Sequence, residues 1–258
     1  MNPFDSQDAA PADPLLDYHD IFELRGQLYH QAMQKFPDAR SSEFLSVIQE
    51  AGIEPGMSVV DIPSGGAYLS RYLCDVELIG LETSQTFAQL ANEKTPNALL
   101  FDNNRFPLKD ASIDRILSIA GLHHVENKHE LFAEMRRVLK PGGRIVIADV
   151  AEDSFVRGFL DDFVGRYCET GHSGWYFGDD TRAELHDAGL NIVDEKRLDY
   201  LWVAPDMEQL ADFCRLLFGM VNADTDIVAD GIRNRLGTRV TDECTGLNWQ
   251  LHCFVCSA

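Results

Sequence analysis

The sequence predicts an α/β fold: a doubly wound, mostly parallel sheet with helices packed against its faces. Two observations carry that prediction. Between Ser58 and Val150, short apolar runs alternate with segments of helical period, and strands separated by helices pair in parallel. The first of these strands also runs directly into the pair Gly65-Gly66 before the next periodic segment, as happens at the ligand-binding end of a parallel sheet.

Taken in order, residues 1–14 hold Pro, Asp and Ala without an apolar period and are expected to be disordered. From Leu15 to about Phe36, the positions Ile21, Leu24, Leu28 and Met33 recur at helical spacing, and Pro37 closes the segment. A second helix is expected from about Ser42 to Ala51, stopped by Gly52. Strands follow at 58–62, 77–82, 98–101, 114–120 and 144–150, with helices expected at 67–73, 84–94 and 129–140. Beyond Val150 a helical stretch, Ser154–Thr170, leads into the glycine- and aromatic-rich loop Gly171–Gly178. A helix to Gly189, a strand at 191–203, a helix at 206–220, a polar stretch and a last strand complete the chain.

With 258 residues, 45% of them hydrophobic, the chain can bury one substantial core, and no linker divides it; residues 15–258 read as a single domain. The net charge of -20 opposes binding to phosphate backbones and anionic lipid headgroups. Neither nucleic acid nor a membrane is therefore expected as a partner. No apolar run reaches membrane-span length and the first residues do not resemble a signal peptide, which points to the cytoplasm. Cys253 and Cys256, three apart on a strand, face opposite ways and cannot share an ion. No metal is expected.

The chemistry concentrates at the turn Asp61-Ile62-Pro63-Ser64-Gly65-Gly66-Ala67. Gly65 and Gly66 remove side chains where a ligand approaches the backbone, and the amides of the following helix would point at it. About 20 residues later the second strand ends in Glu82-Thr83, where a carboxylate can accept from both ribose hydroxyls. Together these define an adenosine site, which suits a nucleotide-dependent oxidoreductase as well.

Three further segments narrow the choice: Leu139-Lys140-Pro141-Gly142-Gly143-Arg144, Gly121-Leu122-His123-His124-Val125, and Phe101–Leu108 preceding Ser112-Ile113-Asp114. In this order they resemble the small-molecule class I S-adenosylmethionine-dependent methyltransferases, the group that includes the ubiquinone and menaquinone biosynthesis enzymes. The resemblance covers about Val59 to Val150. It implies a Rossmann-like sheet with an antiparallel last strand, for which Asn248–Val255 is the candidate. It also divides the chain into lid helices at 15–52, a cofactor-binding half at 56–150, and a cap with C-terminal strands at 151–258. S-adenosylmethionine would be the cofactor and S-adenosylhomocysteine the product. The resemblance places the methionine end on Asp61, Pro63, Ser64, Gly65 and Gly66, the ribose on Glu82 beside Thr83, and the adenine on Asp102 and Asn103. The backbone of Ser118 and Ile119 would lie near the amino-acid portion. The turn departs from the common Asp-x-Gly-x-Gly-x-Gly pattern at Pro63 and Ala67.

Methyl transfer needs a lone pair aligned with the sulfonium methyl, and a general base only if the acceptor holds its proton. His123 and His124 follow the fourth strand; adjacent side chains diverge, so one of them, His124, is expected to face the site. His172 is the second catalytic candidate, with Trp175 and Tyr176 as acceptor walls, although the same loop could simply plug the core. Tyr18, Arg25 and Tyr29 share one face of the first helix, resembling a lid over the substrate. An Asn/Asp-Pro-Pro-aromatic motif, frequent in this class among enzymes of base and amide nitrogens, is replaced here by Ser118-Ile119-Ala120-Gly121. A small-molecule acceptor and a monomer or homodimer are the expectation. The alternatives are the oxidoreductase and a cofactor-binding partner subunit without catalysis.

Overall fold

A computed structural model describes residues 16–93, 97–101 and 105–258; the expected tail 1–14 and the adenine candidates Asp102 and Asn103 lie outside them. Helices α1 (Tyr18–Lys35) and α2 (Ser41–Ala51) precede β1 (Ser58–Asp61), β2 (Glu77–Glu82), α3 (Gln85–Asn92), β3 (Ala98–Leu100), β4 (Ile113–Ile119), α4 (His129–Val138) and β5 (Leu139–Asp149). Next come α5 (Phe155–Gly158), a π-helical turn at Phe159–Val164, α6 (Gly165–Tyr167) and α7 (Asp179–Asp187). Then come β6 (Asn191–Ala204), α8 (Met207–Leu217), α9 (Thr225–Arg235), β7 (Thr238–Val240) and β8 (Thr245–Ser257).

The sheet runs β3-β2-β1-β4-β5-β8-β6, with β7 also paired to β8. Strands β1 to β5 are mutually parallel, whereas β8 runs antiparallel between β5 and β6. Strands β1, β4, β5 and β8 are apolar on both faces where they cross the core, because helices cover both. Val59, Leu117, Val146 and Cys253 pack with α2, α8 and α9 on one side; Val60, Ile116, Ile145 and Cys256 pack with α4 and α7 on the other. Cys253 and Cys256 thus lie on opposite faces, and burial pushes each thiol up to about 12.

Two elements differ from expectation. The segment after the glycine turn is a single 3-10 turn, Tyr68–Tyr72, not an α-helix, so no helix N-terminus aims its amides at that site. Ala67 enters it in the left-handed region (φ 57) and Asp75 leaves near the same φ, which leaves too little chain for regular helix before β2. The polar stretch before β8 contains α9 and β7, whose apolar positions Val228 and Ile232 are hidden within a charged sequence.

Candidate active site

At the carboxyl ends of β1 and β2 the glycine turn and Glu82 interlock. Glu82 is fully buried and its two oxygens are shared among four donors. Oε2 accepts from the Gly65 amide at 2.7 Å and the Tyr18 hydroxyl at 3.1 Å; Oε1 accepts from the amides of Thr83 at 2.8 Å and Ser84 at 2.9 Å. Burial dominates over these hydrogen bonds and raises its pKa to about 7. Asp61 stands nearby, also buried, and burial together with the charge of Glu82 raises its pKa well above the usual range. The Ser64 hydroxyl is buried without a partner, as is that of Ser118. Gly65 needs its left-handed φ of 52°, and a Cβ on Gly121 would come within 2.4 Å of Pro63, so that turn and the one after β4 fit only as this glycine–proline pair.

Helix α1 lies across this turn. Besides Tyr18 on Glu82, His19 Nδ1 meets the Thr83 carbonyl at 3.0 Å, and Glu23 accepts from the Ser84 hydroxyl at 2.8 Å and the Thr86 amide at 3.1 Å. Under it lies a chamber of about 50 Å³ walled by Tyr18, Tyr29, Arg40, Asp61, Ser64 and Ile119 among others. A larger open groove, about 500 Å³, lies outside it, and Tyr68 is the common wall. The groove itself holds no acid and no glycine, whereas the smaller chamber is walled by Asp61, Ser64 and Gly65.

A second chamber, about 40 Å³, continues beyond Ala120, Tyr29 and Arg40. Its walls are Trp202, Trp249, Phe218 and Phe22 with Arg25, His123, His124 and His172. Arg25 is buried, donating from Nη1 to the Phe218 carbonyl at 3.1 Å while its Nε has no partner. Along α1, Tyr18 walls the first chamber, Arg25 the second and Tyr29 both.

The histidines correct one expectation. His123 and His124 sit on a 3-10 turn, Leu122–His124; their rings are 4.1 Å apart, both are buried and both wall the second chamber. His123 Nδ1 bonds Asp149 Oδ1 at 2.6 Å, and Asp149 also accepts from the amides of Leu122, His123 and Val150. Those contacts hold the Asp149 carboxyl below its usual pKa despite its burial. The loop arrives through the Trp175 amide, 2.8 Å from the His123 carbonyl, at a place where a Cβ on Gly174 would lie 2.8 Å from that same oxygen. This sets Tyr176 flat on His123 and His172 beside both histidines. Tyr176 donates to Asp161. Burial lowers His172 to about 4 and His124 well below its ordinary value, so both imidazoles are neutral at pH 7. Phe177 is a core plug against Phe254, while Trp175 is half-buried and walls neither chamber.

Arg40, Glu43 and Asp149 gave no signal in sequence. Arg40 is a buried cation between the chambers, paired to Glu43 at 2.5 Å and donating to Tyr29; Trp202 donates to Glu43 at 2.5 Å. An Arg in the loop between two helices reads as surface, and only the return of β6 beneath it shows otherwise.

Comparisons with known proteins agree with this geometry. A family model described as methyltransferase domain matches residues 60–147. The chain is 33% identical over 122 residues to methyltransferase GfsG of Streptomyces halstedii, covering 43% of this chain and 42% of that one. It is 30% identical over 125 residues to the mouse tRNA (carboxymethyluridine(34)-5-O)-methyltransferase ALKBH8, covering 47% of this chain and 19% of the other. The chain thus spans less than half the length of either relative. Among solved structures, a methyltransferase in complex with the Haloferax volcanii Trm112 methyltransferase activator superposes with TM-score 0.60 at 20% identity, over 94% of this chain and 99% of that one. Residues 60–147 thus match a methyltransferase domain, and the sheet order agrees with the Rossmann-like fold of the solved methyltransferase.

Proposed function

We propose that the protein transfers a methyl group from S-adenosylmethionine to a small-molecule acceptor. The observation that carries this reading is the pair of adjoining chambers. One has the acid and the glycine turn of an adenosine site, the other has an aromatic wall, and Tyr29, Arg40 and Ala120 are common to both. The residues fit the cofactor: Ser64 has a buried hydroxyl without a partner, Asp61 a buried carboxyl that a ligand ammonium would stabilise as the anion, and Arg40 a cation for a ligand carboxylate. Bound there, the cofactor supplies an electrophilic methyl on sulfur. Glu82 would hold the ribose, exchanging the Tyr18 hydroxyl for a ribose hydroxyl. The aromatic wall would exclude water and align the acceptor, which supplies most of the acceleration in such a transfer. His124 and His172, uncharged at pH 7, add polar groups to the wall on the acceptor side.

A tRNA acceptor, the substrate named for the mouse relative, is the second reading. It is opposed by the charge of -20 and by a second chamber enclosed by aromatic side chains. The first test is ligand-induced stabilisation: S-adenosylhomocysteine at 100 times its dissociation constant adds about 2.7 kcal/mol. Stabilisation by NAD instead would return the oxidoreductase reading. Transfer of labelled methyl into a small-metabolite extract, and none into total tRNA, tests the acceptor class.

A further inference from the structure

Three imidazoles from two distant segments meet on the wall of the second chamber. One ring nitrogen of each of His123, His124 and His172 lies within 4.8 Å of the others. The His172 ring centroid is 5.7 Å from that of His123 and 5.5 Å from that of His124. Imidazoles sharing one ion at about 2.0–2.1 Å in tetrahedral geometry hold their centroids about 5 Å apart, so the His172 ring is spaced as a co-ligand would be, and side-chain rotation closes the remaining gap between the nitrogens. The His123–His124 separation of 4.1 Å is tighter. It opens by turning the His124 ring, whose buried Nδ1 has no partner to lose.

What stands behind the rings is also that of a metal site. A ligating histidine generally gives its other nitrogen to a carboxylate, which fixes the tautomer and raises its basicity. His123 Nδ1 does so with Asp149 at 2.6 Å, and Asp149 is itself locked by three backbone amides. His172 Nδ1 faces Asp161 at 3.6 Å and the Tyr176 hydroxyl at 3.4 Å. Both histidines thereby keep Nε2 for the cluster centre, and that atom has no hydrogen-bond partner among the described residues in any of the three. Of the cations nearest the cluster, Arg25 is drawn off to the Phe218 carbonyl, Arg40 is paired to Glu43, and Arg157 meets Asp161 from the far side.

We propose that His123, His124 and His172 form a three-histidine site for a divalent transition metal, Zn2+ foremost, with an open coordination position toward the second chamber. Neutral imidazoles suit Zn, Fe, Ni and Cu and disfavour Mg and Ca, and three protein ligands with one open position is the arrangement of catalytic rather than structural zinc. The sequence held no such signal, because the third ligand comes from a loop that only the fold brings back to β4. The assignment does not depend on methyl transfer.

The test uses the full chain without an affinity tag, stripped by a chelator and titrated with Co2+ alone. One equivalent per chain is expected, with the intense visible ligand-field bands of a low-coordinate site, and stoichiometric Zn2+ should bleach them. His172→Ala, on a loop, should keep the fold by far-UV circular dichroism and weaken Co2+ binding about 100-fold or more. Asp149→Asn should weaken it about 10- to 100-fold, the usual effect of losing a carboxylate behind a ligand. His186→Ala, at an exposed histidine, should leave the titration unchanged. Folded wild-type protein that gives no bands at millimolar Co2+, or binding that survives His172→Ala unchanged, overturns the proposal.

Discussion

Glu82 is the residue at which stability and ligand binding are coupled to pH. Its folded pKa of about 7 lies above the ordinary 4.5, so between those values the folded state binds the proton that the unfolded state has released. Stability from this group is therefore complete below pH 4.5 and declines as pH rises through 7, by a total on the order of 3 kcal/mol. Urea unfolding of wild type and Glu82→Gln from pH 5 to 8 measures it: the wild type should lose stability relative to the variant across that interval, and parallel curves would refute the assignment. The same titration predicts that S-adenosylhomocysteine binds more tightly as pH rises from 6 to 8, since the ribose hydroxyls donate to the anion. Ala67 gives a second prediction at this scale. A left-handed φ of 57° costs an alanine roughly 1 kcal/mol that a glycine does not incur, partly offset by glycine's greater chain entropy. Ala67→Gly should raise thermal stability slightly and leave cofactor affinity intact; destabilisation would show that the Ala67 methyl, rather than the backbone, fixes the turn.

Among the elements, α1 governs access. With Tyr18 on Glu82 and His19 and Glu23 on the turn after β2, the first chamber is far too small for a nucleoside, so α1 and Tyr68 must shift for one to enter. Tyr18→Phe removes one hydrogen bond to a carboxyl, an interaction of about 1.5 kcal/mol or more when the acceptor is charged. The association rate of S-adenosylhomocysteine by stopped-flow fluorescence should rise about tenfold, and an unchanged rate would mean that the latch does not limit entry. Amphipathic α1, α2, α4 and α8 and the apolar strands were legible because period and core face coincide in them. The 3-10 turn at Tyr68 was not, because Ala67 and Asp75 adopt left-handed φ that neither residue type announces. Nor was α9, whose short buried run Val228–Ile232 is interrupted by Asp230 and flanked by charged residues. Of the candidate site, the part on β1 and β2 was legible in its own turn, whereas Arg40, Asp149 and the convergence of His172 depend on contacts made across the sheet.

For the whole molecule, the charge of -20 predicts indifference to polyanions. Total tRNA should neither retard the protein in a gel nor compete with S-adenosylhomocysteine at moderate salt, and retention on tRNA would favour the nucleic-acid acceptor. No helix among the described residues is long and apolar enough to cross a membrane. The sheet order has one consequence for how the chain is made. Strand β8 follows β5 and β6 in sequence and is an interior strand in space, bonded to β5 on one side and β6 on the other. Until it leaves the ribosome, β5 and the 14-residue β6 each present an open edge, the kind of template on which nascent chains pair with one another. Slow translation through 191–244 should therefore lower soluble yield far more than slow translation before β5, and a chaperone that shields strand edges should recover it.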